Sequence, residues 1–319
     1  MLIINILLTI VGFAALIKCA DFFVSGASSF AKNFKIPTMV IGLTIVAFGT
    51  SAPELAISFT SHLSGNTDML FGNVLGSNIA NIFVILGVAV LIVPFKIEND
   101  VIKKQIPILL LITLGASVLF LDGLFTGAAH HGLSRADGLI LILFFSIFIY
   151  YLIFVLKSDE NKNKAVEQPE HKILKSIILM ALGLGGVIIG SNLVVDNLAS
   201  LAQTVGISQK IISVTIISIG TSLPELVTTV VAAKKGENNM AIGNIVGSNV
   251  FNIAIVLGLP IVLLGEATTT AFGIVDIAFL LLSVIVLWIF TASGRKLRRF
   301  EGAILVAIYC FYAGYIFIQ

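Results

Sequence analysis

A seven-residue block of small and polar residues occurs twice in this chain, each time inside strongly apolar sequence. The first copy, Gly-Thr-Ser-Ala-Pro-Glu-Leu, occupies residues 49–55, and the second, Gly-Thr-Ser-Leu-Pro-Glu-Leu, occupies residues 220–226, with six of seven positions identical. A second block, Gly-Asn-Val-Leu-Gly-Ser-Asn-Ile-Ala-Asn-Ile, begins at residue 72 and returns at residue 243 with seven of eleven positions identical. Both blocks return after 171 residues, so the sequence predicts a long internal duplication.

The composition predicts a polytopic membrane protein. Hydrophobic residues make up 58% and charged residues 11% of the 319 positions, and the mean hydropathy is +1.09, whereas a soluble domain carries about 25% charged residues. The N-terminal segment lacks the basic start and the cleavage site of a signal peptide, so we expect it to be retained as the first span. Cys19 and Cys310 both lie in apolar segments, which predicts no disulfide framework.

Apolar segments separated by polar turns predict ten spans in two halves. The polar stretch at residues 157–172 is typical of a flexible linker, so we predict a first five-helix repeat at 1–156, a cytoplasmic linker at 157–172 and a second five-helix repeat at 173–319. Because five is odd, the second half must enter the membrane from the opposite side, and the repeats are inverted. The predicted fold class is an all-α integral membrane protein of ten transmembrane helices, with broken helices at the centre. The predicted spans cover approximately residues 2–30, 38–63, 69–94, 105–121, 135–156, 173–201, 209–233, 239–264, 272–290 and 300–318.

The positions of the Lys and Arg residues predict the orientation. With the N-terminus outside, sixteen of them fall in or beside loops on the inner side, whereas only Arg135 and Lys210 fall in outer loops. This imbalance follows the positive-inside rule. We therefore predict a multi-pass protein of the plasma membrane with both termini outside and the linker in the cytoplasm. The sixteen are Lys32, Lys35, Lys96, Lys103, Lys104, Lys157, Lys162, Lys164, Lys172, Lys175, Lys234, Lys235, Arg295, Lys296, Arg298 and Arg299.

Each copy of the first block places a carboxylate at the centre of a predicted span. Glu54 follows Thr50 by four residues, so both side chains lie on one helix face, and a charge at that depth costs about 2.5–3.5 kcal/mol. Pro53 has no N–H and leaves the carbonyl of Gly49 without its helical partner. Such a break is tolerated in a bilayer where backbone oxygens line a cavity. The same pattern recurs at Gly220, Thr221, Pro224 and Glu225.

The second block adds amides and hydroxyls at helical spacing. Each copy holds an asparagine, a serine and an asparagine four residues apart, which form one polar stripe on a helix. The stripes are Asn73, Ser77 and Asn81 in the first copy, and Asn244, Ser248 and Asn252 in the second. A glycine pair beside each stripe, Gly72 with Gly76 and Gly243 with Gly247, predicts close helix approach. We expect Asn78 and Asn249, which lie beside the stripes, to stabilise freed backbone.

This set of oxygen atoms points to a hard cation. Carboxylate, hydroxyl, amide and carbonyl oxygens suit Na⁺ and Ca²⁺ rather than soft metals. Two carboxylates near the membrane midplane would repel each other, and at least one would take up a proton unless a cation were bound.

At these two blocks the chain resembles the cation/Ca²⁺ exchanger superfamily, and most closely its small prokaryotic sodium/calcium exchangers. The resemblance covers nearly the whole chain. It implies a secondary active antiporter that exchanges Na⁺ for Ca²⁺ by alternating access around a central carboxylate site. It also implies that Glu54 and Glu225 are the carboxylates shared by both ions, while hydroxyls, carbonyls and amides form the flanking sites. Those hydroxyls belong to Ser51, Ser77, Ser222 and Ser248, the carbonyls to Ala47, Thr50, Ser218 and Thr221, and the flanking amides to Asn81 and Asn252.

One position departs from several relatives. Some members, including potassium-dependent ones, carry an aspartate at one of the positions matched by Asn81 and Asn252, whereas both are amides here. The amides disfavour potassium co-transport and a proton held at that position.

Two other functions stay open on the sequence alone. Paired glutamates can carry protons, so a Ca²⁺/H⁺ antiporter is the main alternative, and a cation channel is a further one against which the inverted duplication argues. No enzyme, cofactor-binding or nucleic-acid-binding motif is predicted, because the four histidines lie in loops and the sequence has no P-loop and no Cys/His metal spacing. We expect the ions to be substrates and no cofactor or protein partner to be needed.

Overall fold

The computed structural model describes residues 2–123, 131–159, 168–204 and 218–318. Within these ranges the chain is nearly all helical. Eight helices are long and apolar enough to cross a membrane, and a ninth is added if the helices on either side of Ser51 form one broken span. The α-helices are α1 (Leu2–Asn33), α2 (Thr38–Ile41), α3 (Ala47–Thr50), α4 (Ala52–Leu63), α5 (Thr67–Ala80), α6 (Gly87–Ile92), α7 (Ile106–Phe120), α8 (Arg135–Asp159), α9 (Ile173–Thr204), α10 (Ser218–Thr221), α11 (Leu223–Lys234), α12 (Asn238–Phe251), α13 (Gly258–Leu264), α14 (Ile274–Gly294) and α15 (Arg299–Ile318).

Short π-helical segments and strands complete the described elements. The π-helical segments are π1 (Gly42–Val46), π2 (Asn81–Leu86), π3 (Val101–Gln105) and π4 (Asn252–Leu257). The strands are β1 (Phe95–Lys96), β2 (His131–Leu133), β3 (Ala267–Thr269) and β4 (Lys296–Leu297). β1 pairs with β4 and β2 with β3, both antiparallel. Each two-stranded ribbon therefore ties together two loops that are far apart in the sequence, and the sequence pattern predicted neither ribbon.

The duplication extends from the sequence blocks to whole helices. α1 and α9 are both 32 residues long, and α9 begins 171 residues after α1. The same displacement and equal lengths relate α4 to α11 and π2 to π4. The offset of the two polar blocks is thus the offset of the helices that carry them.

Each Pro-Glu motif lies at the start of a helix. α3 ends at Thr50 and α4 begins at Ala52, and Ser51 between them has φ −87° and ψ 7°. Ser222 occupies the same place before α11, with φ −91° and ψ 7°. The prolines then fall in the first helical turn, where an N–H would have no acceptor within the helix. The predicted break is confirmed, but it is centred on the serine two residues before the proline.

The chain divides into two compact units, and each contains segments of both sequence halves. Unit 1 comprises Met1–Thr50 and Ala165–Asn244, and unit 2 comprises Ser51–Lys164 and Ile245–Gln319. The predicted repeats, 1–156 and 173–319, concern the duplication of the sequence rather than compactness and stay a prediction. Most of the predicted linker, 157–172, lies outside the described residues.

Close backbone contacts hold unit 1 together. α1 packs along α9, and Gly183 of α9 lies so near α1 that a Cβ there would stand 2.5 Å from the backbone nitrogen of Phe23. A Cβ at Gly243 of α12 would likewise lie 2.8 Å from the carbonyl oxygen of Met39. Only glycine permits these approaches. In unit 2, α6 packs against α15, and α8 packs against α13.

The predicted spans agree with the helices, to within a few residues at most ends, where the structure describes them. The exception is the seventh, predicted over residues 209–233, because residues 205–217 lie outside the described ranges. α10 and α11 cover the remainder of that span. The total of ten spans therefore stays a prediction.

Candidate cation-binding residues

In unit 2, a buried carboxylate and a polar stripe meet between α4 and α5. Glu54 lies in the first turn of α4 and its side chain is 1% exposed. Asn73 of α5 donates from Nδ2 to the backbone oxygen of Glu54 at 2.9 Å and to Ser58 Oγ, also at 2.9 Å. Ser58 lies one turn after Glu54 on the same face and is fully buried. Asn73 therefore fixes α5 to the turn of α4 that carries the carboxylate.

Unit 1 repeats this arrangement with the second copy. Glu225, in the first turn of α11, is fully buried. Asn244 donates from Nδ2 to Thr229 Oγ1 at 3.0 Å, and Thr229 is the residue 171 positions after Ser58. The amide oxygen of Asn244 accepts a hydrogen bond from Thr50 Oγ1 at 3.2 Å. Both nitrogen and oxygen of this amide are thus held by hydroxyl groups.

Thr50 also brings a predicted carbonyl into the same part of unit 1. The carbonyl oxygen of Ala47 lies 3.3 Å from Thr50 Oγ1. Ser218 begins α10, and its side chain lies outside the described part of the chain. Thr221 is half-buried at the end of the same helix.

A second group of amides joins the two copies of the second block within unit 2. Asn81 donates from Nδ2 to Asn249 Oδ1 at 2.9 Å, and Asn249 donates from its own Nδ2 to the backbone oxygen of Asn78 at 3.2 Å. Asn78 in turn donates to the backbone oxygen of Val74 at 2.7 Å. The prediction that Asn78 and Asn249 stabilise backbone groups is confirmed.

The two flanking asparagines each start a π-helical segment. π2 begins at Asn81 and π4 begins at Asn252. A π turn inserts an extra residue into the helix and displaces carbonyls from the regular i→i−4 pattern, and such turns are frequent at functional sites. The sequence reasoning found the two amides but missed this local geometry.

Several buried oxygens of the stripes form no hydrogen bond within the described residues. They are Asn81 Oδ1, Asn252 Oδ1 and Ser248 Oγ in unit 2, and Thr228 Oγ1 in unit 1. A buried polar atom without a partner is unusual in native structures and costs about 1–3 kcal/mol. Oxygen atoms in this condition are suited to ligate a dehydrated cation. The sequence reasoning missed Thr228, although it lies three residues after Glu225 and so shares its helix face.

One carbonyl predicted to be free is occupied. Ser191 of α9 donates from Oγ to the backbone oxygen of Gly220 at 3.0 Å. The position 171 residues before Ser191 is Ala20, which has no hydroxyl. The carbonyls of the two broken helices are therefore not equivalent, and the expectation that both copies offer the same freed carbonyl was wrong for Gly220.

The remaining predicted residues are also buried, but the glycine pairs differ. Ser51 is fully buried, Ser222 is 3% exposed, and Ser77 is 4% exposed. The predicted close helix approach is confirmed at Gly243, and it is wrong at Gly76, where no atom outside its own helix backbone and chain neighbours lies within 4 Å of an added Cβ. The described residues contain no group of three or more His, Cys, Asp or Glu that could hold a metal ion. The oxygen set therefore consists of single carboxylates surrounded by amides and hydroxyls.

The comparisons with known proteins agree with this picture. The family described as "Sodium/calcium exchanger protein" matches residues 4–154 and 175–318. This chain belongs to the sodium/calcium exchanger family. The match includes both copies of both polar blocks, and it makes the chain an integral membrane protein of a transporter family.

Relatives and solved structures cover the family match over its full length. The chain is 32% identical to "Sodium/calcium exchanger MaX1" of Methanosarcina acetivorans, over 97% of each chain. It is 37% identical to "Inner membrane protein YrbG" of Escherichia coli, over 87% of this chain and 86% of that protein. Among solved structures, the sodium-calcium exchanger NCX_Mj soaked with 2.5 mM Na⁺ and 0.1 mM Ca²⁺ has a TM-score of 0.82 at 30% identity, covering 98% of this chain and 99% of that one.

Proposed function

We propose that this protein is a secondary active antiporter that exchanges Na⁺ for Ca²⁺ across the plasma membrane by alternating access. One observation carries the proposal: in a chain of the sodium/calcium exchanger family, both Glu54 and Glu225 are buried on helices that begin at a break. A buried charge in a membrane-spanning helix is costly and marks an ion pathway. Calcium, sodium and hard oxygen ligands fit each other.

Glu54 and Glu225 are proposed as the carboxylates that bind Ca²⁺ and Na⁺ in turn. The hydroxyls and amides with unpaired oxygens, at Ser248, Asn81 and Asn252, supply additional weak ligands. Ser51, Ser77, Ser222, Thr50, Thr221, Ala47 and Ser218 complete the proposed set. One Ca²⁺ or two Na⁺ would balance two carboxylates, and a third Na⁺ would leave the loaded carrier with an excess positive charge.

Asn73 and Asn244 act mainly as positioning residues in this proposal. The amide nitrogens of both donate to protein acceptors, and the oxygen of Asn244 already accepts from Thr50. Their contribution is to hold α5 and α12 against the helices that bear the glutamates. This differs from the direct ligand role that the stripe pattern suggested.

Contacts between loops support the proposed membrane topology. In unit 1, Asn33 donates to the backbone oxygen of His171 at 2.7 Å, and Lys235 pairs with Asp21 at 2.8 Å. These segments are all on the side assigned to the cytoplasm. In unit 2, the β1–β4 ribbon joins two loops assigned to the cytoplasm, and the β2–β3 ribbon joins two loops assigned to the outside. Each pair thus joins segments that the charge distribution assigns to one side, in support of ten spans with both termini outside.

The function is tested by ⁴⁵Ca²⁺ uptake into proteoliposomes that contain the purified protein. An outward Na⁺ gradient alone should drive Ca²⁺ accumulation, and a K⁺ gradient alone should not. Accumulation driven by a pH gradient without Na⁺ would replace the proposal with Ca²⁺/H⁺ exchange, and Ca²⁺ entry that follows only its own gradient would indicate a channel. The Glu54→Gln variant, reconstituted at equal density, is the control for uptake that does not pass through the proposed site.

A further inference from the structure

A cavity of about 390 Å³ lies in unit 2, where the start of α7 meets the end of α14. Its polar lining consists of Asn99, Lys103 and Arg295, and its apolar lining includes Ile102, Pro107 and Trp288. It shares no residue with the cation-binding set. We propose that this cavity binds the headgroup of an anionic phospholipid, with the acyl chains of the lipid lying over its apolar end.

The two helical segments present their polar and apolar residues in the same order. On the first segment, Lys103 of π3 precedes Pro107 by about one turn, and on the second, Trp288 precedes Arg295 by seven residues, or about 10 Å along a helix. Both basic residues lie at the loop ends of these segments, beside the β1–β4 ribbon. The cavity therefore has a charged end at the membrane surface and an apolar end deeper in the membrane, which is the polarity of a phospholipid.

The charge at the cavity is not compensated by the protein. Within the described residues neither Lys103 nor Arg295 forms an ion pair, whereas the neighbouring Lys104 pairs with Asp100 at 3.1 Å. In the ribbon, Lys96 lies directly opposite Lys296. Like charges at opposed positions of a strand pair destabilise it. A bound anion would offset this repulsion as well as the two unpaired charges in the cavity.

The residue types fit a phosphodiester. The guanidinium of Arg295 can donate two parallel hydrogen bonds to phosphate oxygens, and Lys103 supplies a point charge. Trp288 is 40% exposed and is the one tryptophan of the whole sequence. Tryptophan is enriched at the level of lipid headgroups, and basic pockets between membrane helices bind anionic headgroups. A general preference for positive charge in cytoplasmic loops explains basic residues there, but it does not explain why they line a cavity together with this tryptophan.

The single tryptophan makes the proposal measurable without a transport assay, so the test is independent of the proposed function. Full-length protein is placed in nanodiscs that contain brominated phosphatidylglycerol or brominated phosphatidylcholine at equal fractions, and the quenching of Trp288 fluorescence is compared. We expect stronger quenching by the anionic lipid, and a loss of this preference at high salt. Equal quenching by the two lipids in the unmodified protein would overturn the proposal.

Variants locate the site. The Lys103→Gln/Arg295→Gln protein should bind the anionic lipid about 30-fold more weakly relative to phosphatidylcholine, and Lys103→Gln alone about fivefold more weakly. The single variant serves if the double variant does not fold. Lys172→Gln/Lys175→Gln removes two exposed cytoplasmic-side charges away from the cavity and should keep the preference. The proposal fails if this control loses the preference equally, or if inorganic phosphate displaces the anionic lipid and shifts Trp288 emission in phosphatidylcholine nanodiscs, since the cavity would then be a site for free phosphate.

Discussion

Asn81 donates a hydrogen bond from Nδ2 to Oδ1 of Asn249, at 2.9 Å. The two residues come from different copies of the duplicated amide block, so this bond joins the helices of the two copies inside unit 2. Asn249 also donates to the backbone oxygen of Asn78. It thereby holds Asn81 in an orientation in which Oδ1 of Asn81 forms no hydrogen bond within the described residues.

Asn249→Ala should destabilise the protein, because two buried groups lose their partner. The amide of Asn81 and the backbone oxygen of Asn78 would be left unsatisfied, at about 1–3 kcal/mol for each. A clear decrease in the thermal unfolding midpoint of the detergent-solubilised protein is expected. Asn192→Ala is the matched control, since Asn192 is exposed on α9, and it should unfold like the unmodified protein. Equal midpoints for Asn249→Ala and the control would contradict the bridging role.

Glu54→Gln and Glu225→Gln should each abolish Na⁺-driven Ca²⁺ uptake while leaving a folded, inserted protein. Each substitution removes a buried charge that the amides and hydroxyls nearby cannot replace. Glu170→Gln changes an exposed glutamate outside the membrane and should transport normally. Appreciable uptake by either buried variant would remove that glutamate from the shared site.

Ser58→Ala and Thr229→Val should weaken Ca²⁺ binding through Asn73 and Asn244. Each loses one hydrogen bond to the amide, worth about 1 kcal/mol, so the half-saturating Ca²⁺ concentration should rise about fivefold with little change in maximal rate. Ser58→Thr and Thr229→Ser keep the hydroxyl and should restore the affinity. If the maximal rate falls while the affinity is unchanged, the hydroxyls do not position the site.

The orientation is testable with single cysteines. In a protein without Cys19 and Cys310, a cysteine at Glu170 should be protected from an impermeant reagent on intact cells and label after permeabilisation, because the linker is predicted to be cytoplasmic. A cysteine at Ser64, in a turn predicted to be outside, should label on intact cells. The reverse pattern would overturn the orientation.

The sequence predicted those features of the fold that depend on residue type and spacing. The polar blocks located both broken helices, since a proline inside an apolar segment removes a helical hydrogen bond and displaces the preceding turn. The residue at the break, Ser51 or Ser222, was not predictable, because a proline is compatible with several positions in the first helical turn.

Other features depend on contacts between distant segments. The hydroxyl of Ser191 on the carbonyl of Gly220 and the short strands β1 to β4 arise from tertiary packing, and no local pattern announces them. The π-helical segments at Asn81 and Asn252 are likewise invisible to periodicity, because one extra residue in a turn barely alters the hydrophobic pattern of a fully apolar helix.

The most direct test of the proposed exchange is Ca²⁺ efflux from proteoliposomes loaded with ⁴⁵Ca²⁺. The medium contains Na⁺, Ca²⁺, or only an impermeant organic cation, at the same pH as the interior. Rapid efflux is predicted with external Na⁺ or Ca²⁺ and almost none with the organic cation, because an empty carrier would have to pass through the occluded state with Glu54 and Glu225 uncompensated. Sustained efflux into the medium with the organic cation alone would show that the empty carrier returns freely, and it would contradict obligatory exchange.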